Sequence, residues 1–272
     1  MNNHGSYIKL LSFSFLLIFS ACNLSELKNR SDENKLADAL EKTSANKSEL
    51  LKVIYHYSKN EQDSLKLKAA KFLISNMPGK GYYSYVPKDD KGRIINHDFF
   101  PVTLNGEGID ISFFNFQSAS KTNVRFELNS FVSDCSVITS SDLIENIDYA
   151  FKAWNLPWAR KLSFNQFKEF ILPYRVRQEP LSISRKQLFE ENLRNIDTSN
   201  KSLTVIDIAG IVNNKMKNKY KYIHNELKFY PGRLTMRQIE NIMGGRCDDL
   251  NAFVGSTLRS LGVPVCIEFT PN

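Results

Sequence analysis

The segment from Gly244 to Asn272 reads GGRCDDLNAFVGSTLRSLGVPVCIEFTPN, and it decides the fold prediction for the rest of the chain. Residues with apolar character recur in it at three- and four-residue steps, which predicts one buried stripe along a helix. The stripe comprises Cys247, Leu250, Val254, Leu258 and Leu261. Gly262 provides a left-handed stop and Pro264 prevents continuation. We therefore expect a helix that begins at Cys247 and ends near Gly262.

The residues after this helix alternate in the two-residue period of a strand with one buried face. The alternating positions are Val263, Val265, Ile267 and Phe269. Ahead of the helix, the pair of glycines at 244 and 245 permits a close backbone approach. The sequence thus predicts a helix headed by Cys247 that packs on a sheet containing residues 263–269.

A thiol at a helix N-terminus lies among unpaired backbone N–H groups and at the positive end of the helix dipole, which favours the thiolate. Arg246 would add to this effect, whereas Asp248 and Asp249 would oppose it, so the sequence leaves the net effect on Cys247 open. The predicted position of Cys247 at the start of a helix makes it a candidate nucleophile. The commoner role of a cysteine on an apolar stripe is that of a small buried hydrophobe.

Two runs in this region, 245–250 reading GRCDDL and 258–265 reading LRSLGVPV, resemble the G-x-C-x-D-L…L-R-x-L-G-[IV]-P-[AV] stretch of the transglutaminase-like superfamily. Further segments resemble secreted, lipid-anchored members of that superfamily: Phe72 to Pro78, Leu143 to Asp148 with Phe151 and Trp154, and Leu172 to Pro180. The resemblance implies a papain-like fold in which Cys247 is the catalytic nucleophile and acts with a downstream His and Asp. No His follows Cys247 in this sequence, so we expect a chain truncated before the matching His and Asp.

The N-terminus has the pattern of a targeting segment. A polar, weakly basic stretch from Met1 to Lys9 precedes an apolar run from Leu10 to Ala21 that is short for a membrane span. The tetrapeptide Phe19-Ser20-Ala21-Cys22 resembles a bacterial lipobox, which implies that Cys22 becomes the lipid-modified first residue of the mature chain. The alternative is an ordinary signal peptide cleaved near Ala21, with Cys22 unmodified. The lipid anchor predicts a cell-envelope protein held on a membrane and facing the periplasm or the exterior.

The remaining pattern predicts an α+β chain in four parts: a signal peptide (1–21), a lipid-anchored polar tether (22–48), a helical region with a small sheet (49–200), and the N-terminal part of a transglutaminase-like core (201–272). In that core, the helix headed by Cys247 would pack on an antiparallel sheet. Helices are predicted at 49–57, 63–77, 188–196, 205–216 and 235–243, with two more starting at Ser141 and Ser163 and ending before Pro157 and at Pro173. Strands are predicted within 108–116 and 124–132, and a loop at 79–90.

Composition excludes some classes of function. The net charge of +7 is spread along the chain without a nucleic-acid motif, so nucleic-acid binding is not expected. The histidines at 56, 97 and 224 lack the spacing of metal ligands, and no metal or other cofactor is predicted. Whether Cys135 and Cys266 form a disulfide is left open, because the sequence does not give their separation.

Two function classes remain. The first is an envelope lipoprotein with a transglutaminase-like domain that performs thiol-based acyl transfer or amide hydrolysis on peptide, protein or glycopeptide substrates, inactive in the truncated form. The second is a non-catalytic surface lipoprotein that binds a peptide or a glycan.

Overall fold

The structure, a computed structural model, describes residues 31–43, 46–99, 102–105, 108–111, 116–117, 119–182 and 184–268. The predicted signal peptide, the lipid attachment at Cys22 and Phe269 lie outside the described residues.

Three helices form the N-terminal part of the described chain: α1 (31–42), α2 (Lys47–Ser58) and α3 (Ser64–Ser75). The helices predicted at 49–57 and 63–77 are thereby confirmed with small shifts at their ends. Helix α1 lies in the segment predicted as a polar tether, and its Ala39 is buried against the helices that follow.

Two antiparallel strand pairs follow, β1 (Gly81–Lys88) with β4 (Arg125–Ser133), and β2 (Val102–Asn105) with β3 (Gly108–Ile111). The strands predicted near 108 and 124 are confirmed. The loop predicted at 79–90 is wrong, because most of it is β1. Its backbone pairs with a segment that lies far along the chain, and a bulge between Ser84 and Tyr85 adjusts the register. Pro87 is accommodated because both strands of a two-stranded sheet are edge strands.

The middle of the chain is helical: α4 (Asp134–Val137), α5 (Ser140–Trp154) and α6 (Phe164–Phe170). Helix α5 begins at Ser140, one residue before the predicted start at Ser141, and its N-cap is Thr139, which accepts the hydrogen bond from the Asp142 amide and forms the capping box. The helix start predicted at Ser163 is confirmed, and Ser163 and Gln166 form a capping box there.

The C-terminal part contains α7 (Arg185–Leu193), α8 (Val205–Lys219), β5 (Lys221–Tyr222), α9 (Met236–Ile242), β6 (Gly244–Gly245) and α10 (Cys247–Ser260). All four predicted helices of this part are present. The short strands β5 and β6 pair in parallel, and α10 packs chiefly on α7 and α8.

Buried apolar residues form two clusters. The first joins α1, α2 and α3 to one face of α5 and to Phe167 of α6. The second joins α7, α8 and α9 to α10 and to the turn after α5, where the Trp158 indole donates a hydrogen bond to the Leu261 carbonyl at 2.7 Å. Helix α5 contributes Ile147 to the first cluster and Ala153 to the second, so it connects the two.

The strand predicted from Val263 is wrong for the described residues 263–268, which have no regular structure. The Val265 amide donates to the Phe170 carbonyl at 3.2 Å, and the Val265 carbonyl accepts from Nη2 of Arg259 at 2.9 Å. The backbone groups that a strand partner would use are therefore taken by a helix end and an arginine. Within the described residues, α10 accordingly packs chiefly on helices and not on the predicted antiparallel sheet.

The predicted buried stripe of α10 is correct only in part. Leu261 is fully buried, and Leu250, Val254 and Leu258 are half-buried, but Cys247 is exposed. The most buried face of the helix carries residues such as Phe253, Thr257 and Ser260. Thr257 is tolerated on this face because its hydroxyl donates a hydrogen bond to the Phe253 carbonyl of the same helix.

The chain is thus a mixed α+β protein in which helices predominate and the sheets are small. None of the helices within the described ranges is both long enough and apolar enough to cross a bilayer.

Candidate functional site around Cys247

Cys247 is the first residue of α10, as the sequence predicts, and its side chain is exposed. The preceding helix α9 ends at Ile242, and its C-cap Met243 has the left-handed conformation (φ 45°), which turns the chain into β6. A Cβ at Gly244 would lie 2.8 Å from the Lys221 carbonyl oxygen, so only glycine permits this pairing of β6 with β5. The parallel pair therefore fixes the direction in which the chain enters α10.

The residue before Cys247, Arg246, is tied to the buried Asp249. The Arg246 amide donates to Oδ2 of Asp249 at 3.2 Å, and its Nε donates to the same oxygen at 2.8 Å. The guanidinium also donates to the carbonyls of Tyr230 and Gly232. The Arg246–Asp249 pair therefore joins the 230–234 loop to the first turn of α10. Cys247 lies between these two residues in the sequence.

Asp248, on the other side of Cys247, is held by two arginines from distant parts of the chain, Arg177 and Arg233. Burial would raise the pKa of Asp248, but the hydrogen bonds from these guanidinium groups outweigh it and hold that pKa below its usual range. Asp248 is therefore ionised at neutral pH. It also lies beside the thiol, with Oδ1 4.0 Å from Sγ of Cys247.

The charges around the thiol have an excess of one positive charge, since three arginines (177, 233 and 246) face two aspartates (248 and 249). The N-cap position is occupied by Arg246, whose side chain has no acceptor, so the first-turn N–H groups receive no side-chain cap from it. Both features favour an anion or a developing negative charge at this helix end. The formal charge of these five side chains is thus +1, and the carboxylate of Asp248 is the one that contacts the thiol.

Sequence reasoning assigned no role to Arg177 or Arg233. They lie 71 and 15 residues from Asp248 along the chain, and no local pattern connects either arginine to it. Arg177 falls within the segment 172–180, which supports the family resemblance but carries no spacing that points to a thiol.

Within the described residues, the Cys247 thiol has the Asp248 carboxylate as its hydrogen-bond partner and no imidazole. His97 packs on the rings of Phe99 and Phe116. His224 is exposed and stacks on Tyr222, and it follows Ile223, whose amide donates to the Gly245 carbonyl at 3.1 Å. His224 thus follows β5, which pairs with β6, the strand just before Cys247.

The three thiols of the described part are free, so Cys135 and Cys266 are not joined. Cys135 is buried, and Cys266 is exposed. Across the same residues, no group of three or more His, Cys, Asp or Glu side chains is arranged to hold a metal ion.

Comparison of the chain with models of protein families, with curated proteins and with solved structures gives no match.

Proposed function

We propose that the chain is a cell-envelope lipoprotein with a transglutaminase-like, papain-like domain, in which Cys247 attacks the carbonyl carbon of a peptide, protein or glycopeptide substrate. The observation that carries the proposal is the exposed Cys247 at the start of α10, beside first-turn N–H groups without a side-chain cap and within a cluster of net positive charge. The resemblance of residues 245–250 and 258–265 supports the same assignment.

The proposed reaction begins with attack of the Cys247 thiolate on an amide or ester carbonyl, which gives a tetrahedral oxyanion. The N–H of Cys247 is suited to donate to that oxygen, because it belongs to the first turn of α10. Expulsion of the amine or alcohol leaves a thioester on Cys247, and water or an amine then releases the acyl group. The leaving group must receive a proton in the first step, which is the role of His in Cys-His enzymes.

The anchor part of the proposal places a lipid on Cys22. It rests on the short apolar run 10–21 and on Ser20 and Ala21 before the cysteine. The enzyme would therefore act near a membrane surface.

The nucleophile is tested by acylation with an activated ester such as p-nitrophenyl acetate, because its leaving group departs without protonation. We expect a thioester on Cys247, located by mass spectrometry of proteolytic peptides, together with release of p-nitrophenolate. The Cys266→Ala variant should behave like the parent chain, since Cys266 is also exposed but does not begin a helix. Equal acylation of Cys247 and Cys266 would contradict a specialised role for Cys247.

A second candidate is a non-catalytic envelope protein that binds peptide or glycan through the same site. One observation favours it: among the described residues, the thiol's hydrogen-bond partner is a carboxylate and not an imidazole. Binding of a peptide or glycan that survives Cys247→Ala without any thioester would support this alternative.

A further inference from the structure

A cavity of about 480 Å³ lies between α5, α7, α10 and the 173–175 segment, away from Cys247, which does not line it. Its volume is in the range of small-molecule sites. Three arginines line it, Arg175, Arg185 and Arg259. Apolar side chains contribute the rest of the wall, among them Leu143, Leu188 and Met236.

The first of these arginines, Arg175, has a buried carboxylate partner. Its Nε lies 2.9 Å from Oδ2 of Asp134, and its Nη2 contacts the other carboxylate oxygen. Tyr174 donates to the same carboxylate at 3.1 Å. This charge is therefore neutralised inside the protein.

Arg185 has no such partner among the described residues. Its Nε donates to the Asn146 side-chain oxygen at 2.8 Å, and its terminal nitrogens donate to backbone carbonyls, including Ile171 at 2.8 Å and Pro173 at 2.9 Å. Burial and the neighbouring Arg259 lower the pKa of Arg185 to about 9. These neutral partners orient the guanidinium but do not compensate its charge.

Arg259 is buried, and its hydrogen bonds likewise go only to carbonyl oxygens, those of Phe170, Arg175 and Val265, at 2.8 to 3.1 Å. Three bonds leave two of its five N–H groups for other acceptors. Glu179 is a carboxylate in electrostatic reach of Arg259, but it accepts from the amides of Val176 and Arg177, and no ion pair joins it to Arg259 in the described part of the chain.

The charges of this region leave one positive charge uncompensated. The three guanidinium groups and the partly buried Lys80 ammonium face two buried carboxylates, Asp134 and Glu179, and the exposed Glu169. Two more acids line the cavity, Asp142 and Glu145, but Asp142 is exposed and bonded to Thr139, and Glu145 is only partly buried. Water and salt screen these outer charges more than the inner ones.

Ser256 adds an unused polar group to the same wall. Its Oγ is buried and has no hydrogen-bond partner among the residues that the structure describes. A buried hydroxyl without a hydrogen-bond partner is unfavourable unless a ligand or water bonds to it. The cavity thus combines uncompensated positive charge, an unused hydroxyl and apolar walls.

We propose that this cavity binds a small molecule that carries one carboxylate on an apolar body. The carboxylate accepts hydrogen bonds from Arg185 or Arg259 and from Ser256, and the apolar body contacts Leu188 and Met236. A monoanion matches the single excess charge, and a cation is repelled by the two guanidinium groups.

The test measures binding of hexanoate, hexanol and hexylamine to the full chain by calorimetry. The three probes share an apolar body and differ in charge. We expect hexanoate to bind at least about tenfold more tightly than hexanol, the order of a charge-assisted hydrogen bond, and hexylamine not to bind. Equal affinity for hexanoate and hexylamine, or no binding of hexanoate, would overturn the proposal, as would inorganic phosphate binding more tightly than hexanoate.

Variants locate the site. Leu181 is 40% exposed and lines the cavity, so Leu181→Glu and its neutral counterpart Leu181→Gln should both fold. The Glu variant should weaken hexanoate binding several-fold relative to the Gln variant. Arg185→Gln should weaken it about tenfold, whereas Arg194→Gln, at an exposed arginine just after the same helix, should leave it unchanged.

The outcome is independent of the thiol chemistry. Cys247→Ala should bind hexanoate as the parent chain does, because Cys247 is not part of the cavity. If Leu181→Glu and Leu181→Gln bind hexanoate equally well, the ligand lies elsewhere and the proposed site is wrong.

Discussion

Nε of Arg246 lies 2.8 Å from Oδ2 of Asp249, and this pair spans the first turn of the helix that Cys247 begins. The carboxylate is fully buried and also accepts from the Leu234 amide at 3.1 Å. Breaking one partner of such a pair leaves the other charge buried without compensation. The local geometry of the candidate nucleophile therefore depends on a pair that does not itself contact the thiol.

Asp249→Ala should destabilise the protein by about 3 to 5 kcal/mol, because the Arg246 charge and the Leu234 amide lose their partner. The free energy of unfolding from urea titration measures the effect. Asp90→Ala is the control, since Asp90 is exposed and its contact with Arg125 is long, at 3.9 Å. Its cost should stay below about 1 kcal/mol. Similar losses in both variants would show that the Arg246–Asp249 pair has no special role.

Alkylation should distinguish the three thiols of the described chain. Iodoacetamide should label Cys247 and Cys266 in the native protein, because both are exposed. Cys135 is 5% exposed, and burial raises the pKa of its thiol, so its labelling should require unfolding. Peptide mapping with and without urea reads this out. Native labelling of Cys135 at the rate of Cys266 would contradict the burial.

Amide turnover by this 272-residue chain should not exceed that of Cys247→Ala, even if an activated ester acylates the thiol. The reason is that no imidazole hydrogen-bonds to the thiol in the described structure, and loss of the base in such a unit costs about ten-thousandfold or more. The measurement is release of amine from peptide amides.

Turnover well above the Cys247→Ala background would contradict this expectation and would require another base. His224→Ala is then the first variant to measure, because His224 follows the strand that pairs with β6. His56→Ala is its control, since His56 lies on α2 and packs on Tyr57.

Labelled fatty acid should be incorporated into the chain in bacterial cells, and Cys22→Ser should abolish both incorporation and membrane association. The physical reason is that acyl chains attached to Cys22 bury apolar surface in the bilayer. Cys247→Ala should have no effect on either property. A Cys22→Ser chain that still fractionates with membranes would show that attachment does not depend on lipid.

Acid should destabilise the contact between α2 and α5 through Glu49. Hydrogen bonds from Lys52 and from Ser140 lower the pKa of Glu49 to about 2. The Ser140 amide and hydroxyl lie 2.8 and 2.7 Å from Oε2 of Glu49. Because the folded-state pKa lies below the usual value of 4.5, this stabilisation is complete above about pH 4.5 and is lost as the pH falls toward 2.

Glu49→Gln should therefore lower stability at neutral pH and flatten its dependence on pH between about 4.5 and 2. Urea unfolding at several pH values measures both effects. The control is Glu61→Gln, which changes an acid outside this contact. A parallel pH dependence in parent and Glu49→Gln chains would contradict the assignment.

The sequence by itself determined the parts of the fold that depend on local interactions. The helix start at Cys247 and the capping boxes of Ser163 and Thr235 follow from neighbouring side chains and backbone groups, as does the left-handed stop at Gly262, where φ is 76°. These features need no information about distant residues, and the structure confirms them.

Only the tertiary structure decided the rest. Strand β1 exists because 125–133 pairs with it, and 263–268 is not a strand because Phe170 and Arg259 take the backbone groups of Val265. The positive charge around Cys247 likewise depends on Arg177 and Arg233, which the fold brings together from separate segments. Hydrogen bonds and charges between residues far apart in sequence leave no periodic signal along the chain, so they become visible only when it is folded.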